Sequence, residues 1–391
     1  MKKVGIIIGG PSVEHEVSII TGLQIYDNID KKKFDPSIIY IDEKGQWHIG
    51  DILSNIETYK KKKDRDLDRV IPWFDPNHPA KLILTAETSG KGKLFSKKKE
   101  PVFLDVIIPA GHGTMMEDGA LQGFLEMCNV PYCFSDMKSS AIGMDKVCMK
   151  QIFQAYHLTI VPYQWFYRSE FENNQEIVLE KIEALGYPLM VKPANLGSSI
   201  GINKANDKQE VLKWIEVAGH YDKKIIVEKY IEDPREINCS VLGFEKDIQA
   251  SLCEEPIGWE EFLKFEDKYL NKNGPKSDKA GQNKRKIPAN LEQEQARKIQ
   301  EMAKKAFESI EAAGVARVDF LISHDQIFVN EINTVPGSAA FYLWEPSGMP
   351  FMELISNLIE IAERRHQQKQ KNMTHYDVDL INNLAKKNKL Q

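Results

Sequence analysis

The sequence lacks the short motifs that most often mark a redox protein or a metal scaffold. Its five cysteines form neither a C-x-x-C pair nor a zinc spacing. Their odd number and apolar neighbours favour reduced, mostly buried thiols. The glycines after the first apolar run do not follow G-x-G-x-x-G, and the acidic ribose reader of a nicotinamide dehydrogenase is missing at its usual spacing. A disulfide scaffold, a zinc site and a dehydrogenase are therefore disfavoured.

Long apolar runs and a strong charge of one sign are missing as well. No stretch approaches the length of a membrane span, and MKKVGIIIGG is too short an apolar run for a signal peptide. A net charge of −5 and a pI of about 6.1 give no general attraction to nucleic acid or to an anionic membrane. With 42% hydrophobic and 28% charged residues, we expect a soluble, cytoplasmic protein of roughly two or three domains.

The first third of the chain contains two similar strand–loop–helix units. Val4 to Ile8 is an apolar run that ends at two glycines, which predicts a buried parallel strand, a tight turn and a helix. Val102 to Ile108 repeats this pattern before the loop His112 to Gly119 and a helix. Polar loops at the same sheet edge indicate an α/β domain that ends near Ser135. The lysine-rich stretch before Glu100 is predicted to be irregular.

The middle of the chain alternates predicted helices and strands. The predicted helices are Ser139 to Tyr156, Glu170 to Leu185, Asp207 to Ala218 and Leu291 to Ala313, and the predicted strands are Val161 to Tyr167 and Ile225 to Ile231. Arg235 to Leu242 alternates polar and apolar residues, which predicts a half-exposed antiparallel strand. The polar stretch between Pro256 and Pro288 is typical of a disordered loop or a functional lid.

A lysine followed by a glycine-serine loop suggests phosphate chemistry. Lys192 closes an apolar strand and is followed by Gly197-Ser198-Ser199-x-Gly201. Backbone N–H groups of such a loop form a nest for anions, and a lysine adds positive charge. The loop is not a Walker A motif because the lysine precedes the glycines. A flexible serine-glycine turn without a ligand is the alternative interpretation.

The stretch Ala316 to Gly337 predicts two short strands joined by a polar turn. Alternation puts Arg317 and Asp319 on one face of the first strand, and Glu331 and Asn333 on one face of the second. Carboxylate and amide oxygens are the hard ligands that Mg²⁺ prefers, usually with phosphate oxygens and water. If the strands pair as a hairpin, these side chains converge. An amphipathic hairpin with a solvated polar face is the alternative.

Together these motifs resemble the D-alanine–D-alanine ligase family of the ATP-grasp superfamily. The resemblance runs from Gly9 to about Ala362. The matching stretches, in the order of the family, are GGPSVEHEVS, HGTMMEDGALQG, MDK, VKPANLGSSIG, EKYIEDPREI, FEDKY, ARVDF and NEINTVPG. Eight matches in order, each at a predicted loop or strand end, make chance similarity a poor explanation.

The resemblance implies a three-domain α/β ATP-grasp fold in which two antiparallel sheets clasp ATP. The implied division is an N-terminal parallel α/β domain at 1–135, a central subdomain at 136–230, a catalytic subdomain at 231–365 and a polar tail at 366–391. It also implies a homodimer formed through the first domain, with no nucleic-acid or membrane partner.

The resemblance further implies residues that bind ATP and metal. Asp319, Glu331 and Asn333 would hold two Mg²⁺ or Mn²⁺ ions against the phosphates. Lys146 and Lys192 would bind phosphate oxygens, helped by the loop at Ser198 and Ser199, and Lys268 in the lid would also bind the cofactor. The adenine edge would comprise Glu228, Lys229, Tyr230 and Ile231, with backbone groups of Lys229 and Ile231 reading the base, and Glu236 would hold the ribose.

The amino-acid substrates are implied to lie beside these groups. Glu14 would bind the ammonium of the first amino acid, whose carboxylate becomes an acyl phosphate. Arg317 and the Gly337 N–H would stabilise the tetrahedral oxyanion. Tyr269 in the lid would exclude water, and His112 would assist deprotonation of the second substrate.

The loop after Gly337 departs from the family pattern. Tyr342 falls near the position where members carry a serine that binds the carboxylate of the second D-alanine. The expected activity is ATP-dependent joining of two D-alanines for peptidoglycan precursors. The alternative within enzymes is a related carboxylate–amine ligase with a different second substrate. A catalytically silent nucleotide-binding protein is disfavoured because Arg317, Asp319, Glu331 and Asn333 are all present.

Overall fold

The computed structural model of the chain describes residues 1–60, 67–87, 100–256 and 285–373. The strands in these ranges form three sheets, which follow one another along the chain. Lys268, Tyr269, most of the predicted lid and the tail after residue 373 lie outside the described residues. In the described ranges, no helix combines the length and apolar composition that crossing a membrane requires.

The first sheet contains seven strands, β1 to β7. Their bounds are Lys2–Gly9, Phe34–Ile41, Trp47–Ile49, Asp68–Trp73, Leu82–Ala86, Val102–Leu104 and Val106–Pro109. The spatial order is β6-β5-β4-β3-β2-β1-β7. β1 pairs in parallel with β2 and β7, which confirms that Val4 to Ile8 lies in a buried parallel strand. The remaining pairs, from β2 to β6, are antiparallel.

Two predictions for this sheet were wrong. The stretch before Glu100 is not irregular throughout, because it contains β4 and β5. The predicted strand Val102 to Ile108 is two strands at opposite edges of the sheet, separated by Asp105. The Asp105 N–H donates to the Lys3 carbonyl at 2.8 Å, and its carboxylate accepts from the Lys3 N–H at 2.8 Å. Asp105 thus joins the two edge strands and is itself bonded to Lys3 of β1. Local apolar patterns do not encode such a contact between remote segments.

The second sheet is antiparallel and contains β8 to β11 in the order β10-β9-β11-β8. The bounds of β8 to β11 are Tyr163–Tyr167, Leu189–Pro193, Asn203–Ala205 and Lys224–Lys229. The helices before and around it, α4 to α8, span Met137–Met144, Lys146–Ala155, Arg168–Asn173, Gln175–Glu183 and Lys208–Tyr221. Val178, Ile182, Val211 and Ile215 from α7 and α8 form its apolar core with the strands.

The predicted helix Ser139 to Tyr156 is interrupted, and so is the one from Glu170 to Leu185. Asp145 separates α4 from α5, and its Oδ1 accepts from the Val147 N–H at 3.0 Å and the Cys148 N–H at 3.1 Å. An aspartate that caps a helix in this way leaves the helical conformation itself. Asn174 separates α6 from α7. Apolar periodicity continued across both breaks, so it did not locate them.

The third sheet carries the hairpin and has the order β14-β13-β12-β15-β16. The bounds of β12 to β16 are Arg235–Phe244, Asp247–Pro256, Arg285–Lys286, Gly314–Ser323 and Gln326–Asn333. β12 is buried from Ile237 to Gly243, so the prediction of a half-exposed strand was wrong. One face packs under the helix Gln293–Ser309, α9. On the other face, Trp344 Nε1 donates to Ser240 Oγ at 2.9 Å.

The remaining helices tie the third sheet to the first. α1 to α3 span His15–Asn28, Ile56–Lys60 and Ala120–Met127, while α10 and α11 span Phe341–Trp344 and Phe351–Lys369. Leu354 and Leu358 of α11 share one core with Ile6 and Ile8 of β1. Short 3₁₀ turns lie at Asp51–Ser54 and Gly337–Ala340. The last helix therefore returns to the first sheet.

Gly22 lies where α1 packs closely against Ile8 of β1. An added Cβ atom would lie 2.0 Å from Ile8 Cγ2. Alanine is the better helix former by about 1 kcal/mol, but this clash would displace the helix. We expect Gly22→Ala to lower the free energy of unfolding by roughly 1–3 kcal/mol, measured by urea denaturation.

Gly123 in α3 is the matched control for this substitution. Its added Cβ would meet Met137 Sδ at 3.4 Å, an ordinary contact. Gly123→Ala should leave stability unchanged or raise it by up to about 1 kcal/mol. A Gly22→Ala protein as stable as the natural chain would contradict the close packing of α1 on β1.

Candidate active site

The β15–β16 hairpin confirms the predicted phase of its polar residues. Arg317 lies opposite Asn333, and Asp319 lies opposite Glu331 in the antiparallel register. Arg317 binds Asp319 through two bonds, Nε to Oδ1 at 2.6 Å and Nη2 to Oδ2 at 2.7 Å. Asn333 Nδ2 donates to Asp319 Oδ2 at 3.1 Å. These four side chains share one face of the sheet.

A row of polar residues continues from the hairpin across the sheet. Asn238 on β12 lies opposite both Asp319 and Glu254, and Glu254 lies on β13. Asn238 Nδ2 donates to Glu254 Oε2 at 3.3 Å, while its Oδ1 is buried without a partner. Glu254 is only 3% exposed. The candidate site therefore contains a buried carboxylate that sequence reasoning did not find.

Negative charge on this face exceeds the positive charge beside it. Burial raises the pKa of Asp319 to about 6, although the ion pair with Arg317 opposes the shift. Burial and the charge of Asp319 raise the pKa of Glu236 to about 8. Desolvation and neighbouring carboxylates both disfavour the charged form of a buried carboxyl group. The oxygens of Asp319, Glu331 and Asn333 thus fit a divalent cation in both charge and donor chemistry.

A cation held there needs ligands from outside the protein. Among the described residues, no group of three or more His, Cys, Asp or Glu side chains is arranged to hold a metal ion. Two carboxylates and an amide leave positions for phosphate oxygens and water, which Mg²⁺ commonly takes as ligands.

The glycine-serine loop after β9 has the backbone of a tight turn. Ser198 and Ser199 adopt left-handed conformations, with φ of 51° and 56°. Consecutive N–H groups in turns of this kind form anion-binding concavities. Lys146 Nζ donates to the Leu196 carbonyl in the same loop at 2.6 Å. Lys146 therefore lies at the predicted phosphate loop.

Lys192 is paired with a buried glutamate. Its Nζ donates to Glu228 Oε2 at 2.6 Å, and Lys150 Nζ lies 3.0 Å from Glu228 Oε1. Burial alone would raise the pKa of Glu228, but the two lysines lower it to about 2. Sequence reasoning missed Lys150. Its position four residues after Lys146 on one helix face was the available signal.

The predicted adenine edge lies at the end of β11. The Lys229 N–H donates to the Pro162 carbonyl at 2.9 Å, and the Tyr230 N–H donates to the Pro188 carbonyl at 3.1 Å. The Lys229 N–H is therefore not available to a base. Of the backbone groups predicted to read the base, the Lys229 carbonyl and the backbone groups of Ile231 remain.

Glu14 connects the first sheet to the phosphate loop. Ser198 Oγ donates to Glu14 Oε1 in a short hydrogen bond. Glu14 Oε2 is buried without a partner, and an added Cβ at Gly113 or Gly197 would lie 2.8 Å from it. Burial, followed by the charge of Glu117, raises the pKa of Glu14. The carboxylate thus has one oxygen ready for a donor such as an ammonium group.

His112 lies in a chain of hydrogen bonds that reaches the loop after Gly337. Its Nε2 lies 2.9 Å from Thr21 Oγ1, and Thr21 Oγ1 accepts from the Ser338 N–H at 3.0 Å. His112 is 4% exposed. Thr21 on α1 therefore joins His112 to that loop, a link that the sequence did not indicate.

Tyr342 lies beside the hairpin arginine. Its hydroxyl lies 3.4 Å from Arg317 Nη1, and the Arg285 guanidinium stacks 4.1 Å from its ring centroid. Arg285 Nη1 is 3.4 Å from Glu254 Oε1. A Cβ added to Gly337 would meet no atom within 4 Å. Gly337 therefore borders open space.

Comparison with family models matches two segments of the chain. Residues 3–135 match the model described as D-ala D-ala ligase N-terminus. Residues 152–360 match the model described as D-ala D-ala ligase C-terminus.

Individual relatives and solved structures agree with these matches. A D-alanine–D-alanine ligase of Bacillus cytotoxicus is 38% identical over 94% of this chain and 98% of its own length. The solved D-alanine-D-alanine ligase of Coxiella burnetii is 29% identical, with a TM-score of 0.77 over 95% of this chain and 96% of its own. The VanG D-Ala:D-Ser ligase of Enterococcus faecalis is 28% identical, with a TM-score of 0.75 over 92% of this chain and 99% of its own. The ATP-grasp architecture is thus shared, and this chain belongs to the D-alanine–D-alanine ligase family.

Proposed function

We propose that this protein is an ATP-dependent ligase that joins two D-alanines through an acyl phosphate, giving D-alanyl-D-alanine for peptidoglycan precursors. The contact between Glu14 and Ser198 carries the proposal. It brings an acidic group with an unpartnered oxygen to the anion-binding loop. An ammonium site beside a phosphate site suits the phosphorylation of an amino-acid carboxylate by ATP.

ATP binding is assigned to the second sheet and to the adjoining face of the third. Lys146, Lys192 and the backbone at Ser198 and Ser199 bind phosphate oxygens. The adenine edge is formed at the end of β11 and just after it, by Glu228, Lys229, Tyr230 and Ile231. There the Lys229 carbonyl and the backbone of Ile231 contact the base, and Glu236 receives the ribose hydroxyls. Lys268 is proposed to bind phosphate from the lid. These assignments follow the family resemblance, and the charges of the described residues support them.

Asp319, Glu331 and Asn333 would hold two Mg²⁺ or Mn²⁺ ions. Bound there, the ions would neutralise charge on the phosphates during phosphoryl transfer. The excess of carboxylates around Asp319 supports this assignment.

The bond-forming step joins the acceptor amine to the acyl carbon. The amine nitrogen attacks that carbon, the C–N bond forms, and the C–O bond to phosphate breaks, which releases inorganic phosphate and a proton. Arg317 and the Gly337 N–H stabilise the oxyanion of the tetrahedral intermediate. His112 assists deprotonation of the amine, and Tyr269 closes the lid against water.

A ligase with a different second substrate is the second candidate. The stack of Arg285 on Tyr342 beside Arg317 favours it, because these groups border the acceptor side of the oxyanion arginine. The similar VanG protein of Enterococcus faecalis is a D-Ala:D-Ser ligase. We further propose a cytoplasmic homodimer formed through the first domain, with the domain division at 135, 230 and 365.

Phosphate release is expected to depend on the acceptor offered. With ATP, Mg²⁺ and D-alanine alone, we expect inorganic phosphate and D-alanyl-D-alanine in equal amounts, measured by phosphate assay and mass spectrometry. A panel of D- and L-amino acids, including D-serine, tests the acceptor. A mixed dipeptide as main product would favour the second candidate, and no release with any amino acid would refute both.

Glu331→Gln is expected to abolish phosphoryl transfer and leave the fold intact. The amide removes a negative charge from the proposed metal ligands without changing side-chain size. Turnover should fall by roughly 100-fold or more, as for loss of a major electrostatic contact, with an unchanged circular dichroism spectrum. Glu353→Gln, at an exposed glutamate on α11, should retain full activity. Near-normal turnover of Glu331→Gln would refute the metal assignment.

Glu14→Gln is expected to weaken binding of the first D-alanine. Loss of a charge-assisted hydrogen bond costs about 1.5–3 kcal/mol, which corresponds to a KM for D-alanine higher by roughly 10–100-fold. The KM for ATP should change little. Glu16→Gln, at an exposed residue in the first turn of α1, is the control. An unchanged KM for D-alanine in Glu14→Gln would contradict the ammonium site.

A further inference from the structure

Lys150 carries a buried charge that has no role in the reaction proposed above. It lies on α5 one helical turn after Lys146, and its side chain is 1% exposed. Taking an ammonium group out of water is costly unless a counterion compensates for it. The contact of Lys150 with Glu228 provides that counterion.

Glu228 is shared between two lysines with different access to the cleft. Lys150 Nζ faces Oε1 at 3.0 Å, and Lys192 Nζ bonds Oε2 at 2.6 Å. The Lys192 side chain is 12% exposed, while Glu228 is 3% exposed. Lys192 can therefore turn toward a ligand, whereas Lys150 and Glu228 remain enclosed.

The net charge of Lys150, Lys192 and Glu228 determines whether the Lys192 ammonium is available to an anion. With Lys150 present, two positive charges meet one negative charge, so one positive charge is left for an anion. Without Lys150, the Lys192–Glu228 pair is neutral. Any movement of Lys192 toward a phosphate would then leave a buried carboxylate unpaired, and such a step is strongly unfavourable.

We propose that Lys150 is a positioning residue that acts through Glu228 and frees Lys192 to bind the phosphates of ATP. The proposal rests on the proposed ATP-dependent function and adds a residue to it. Packing alone would not need this lysine, because an apolar side chain of similar length fills the same space and a buried ion pair often adds no net stability.

The test compares a phosphate-bearing probe with one that lacks phosphate. Binding of the non-hydrolysable analogue AMPPNP with Mg²⁺ is measured by calorimetry, and adenosine is measured as a competitor. For Lys150→Met we expect the Kd of AMPPNP to rise roughly tenfold or more, while the adenosine constant stays within about twofold. Equal weakening of both probes, or no weakening, would overturn the proposal.

A double-mutant cycle tests whether Lys150 acts through Glu228. In a Glu228→Gln background no buried carboxylate competes for Lys192, so adding Lys150→Met should not weaken AMPPNP binding further. The same tenfold loss in both backgrounds would overturn the proposal. Comparing Glu228→Gln with the double variant also tests the proposal if Lys150→Met alone does not fold, because neither of these two proteins contains an unpaired buried carboxylate at position 228.

Two further variants complete the design. Lys150→Arg keeps the positive charge and should retain AMPPNP affinity within about threefold, whereas a tenfold loss would overturn the role of charge. Lys304→Met, on α9 and paired with Glu301, is the matched control and should change neither probe. If the natural protein itself does not bind AMPPNP, the proposed function fails; natural binding with an unaffected Lys150→Met overturns only the role of Lys150.

Discussion

A charge that is buried between the sheets of this protein must be balanced by a partner, because desolvation otherwise costs several kcal/mol. Glu228 is balanced by Lys150 and Lys192, which come from α5 and β9. Asp319 is balanced by Arg317 on its own strand. Glu14 differs from these, since one of its oxygens is bonded and the other is buried without a partner.

Among the described residues, these partners distinguish charged groups that support the site from polar groups that can contact a ligand. Lys192 donates a hydrogen bond to one oxygen of Glu228, and Lys150 lies within ion-pair distance of the other, so Glu228 suits a role in positioning. Glu14 Oε2 and Asn238 Oδ1 are buried without protein partners, so they suit contact with a ligand. Burial raises the pKa of Asp319 although Arg317 opposes the shift, and the charges of Glu331 and Glu254 add to it. A cation would relieve the repulsion among these carboxylates.

Specific contacts link the segments that carry the site. Thr21 on α1 contacts both His112 and the Ser338 N–H, while Ser198 reaches Glu14 from the second sheet. The helix α11 packs its leucines against β1. The contacts of Thr21 and Ser198 hold loops that carry site residues, and groups held in place before binding need less reorganisation when charge develops.

The sequence alone determined the hairpin, its phase and the four hairpin residues that face the candidate site. Side chains alternate along a strand with a period of two, so their spacing was enough to place the four polar residues of the hairpin in phase. The lysine and glycine-serine loop were found in the same way, because turn chemistry is local. Eight ordered motifs were enough to indicate the family, which the comparisons then confirmed.

Tertiary structure alone decided which distant groups meet. The split of one predicted strand at Asp105, the pairing of Glu254 with Asn238 and the burial of Lys150 against Glu228 depend on contacts between remote segments. Local patterns report the period and the ends of an element, but not the strand or helix it packs against. The sequence therefore determined the chemistry of the hairpin, and the fold decided which buried charges surround it.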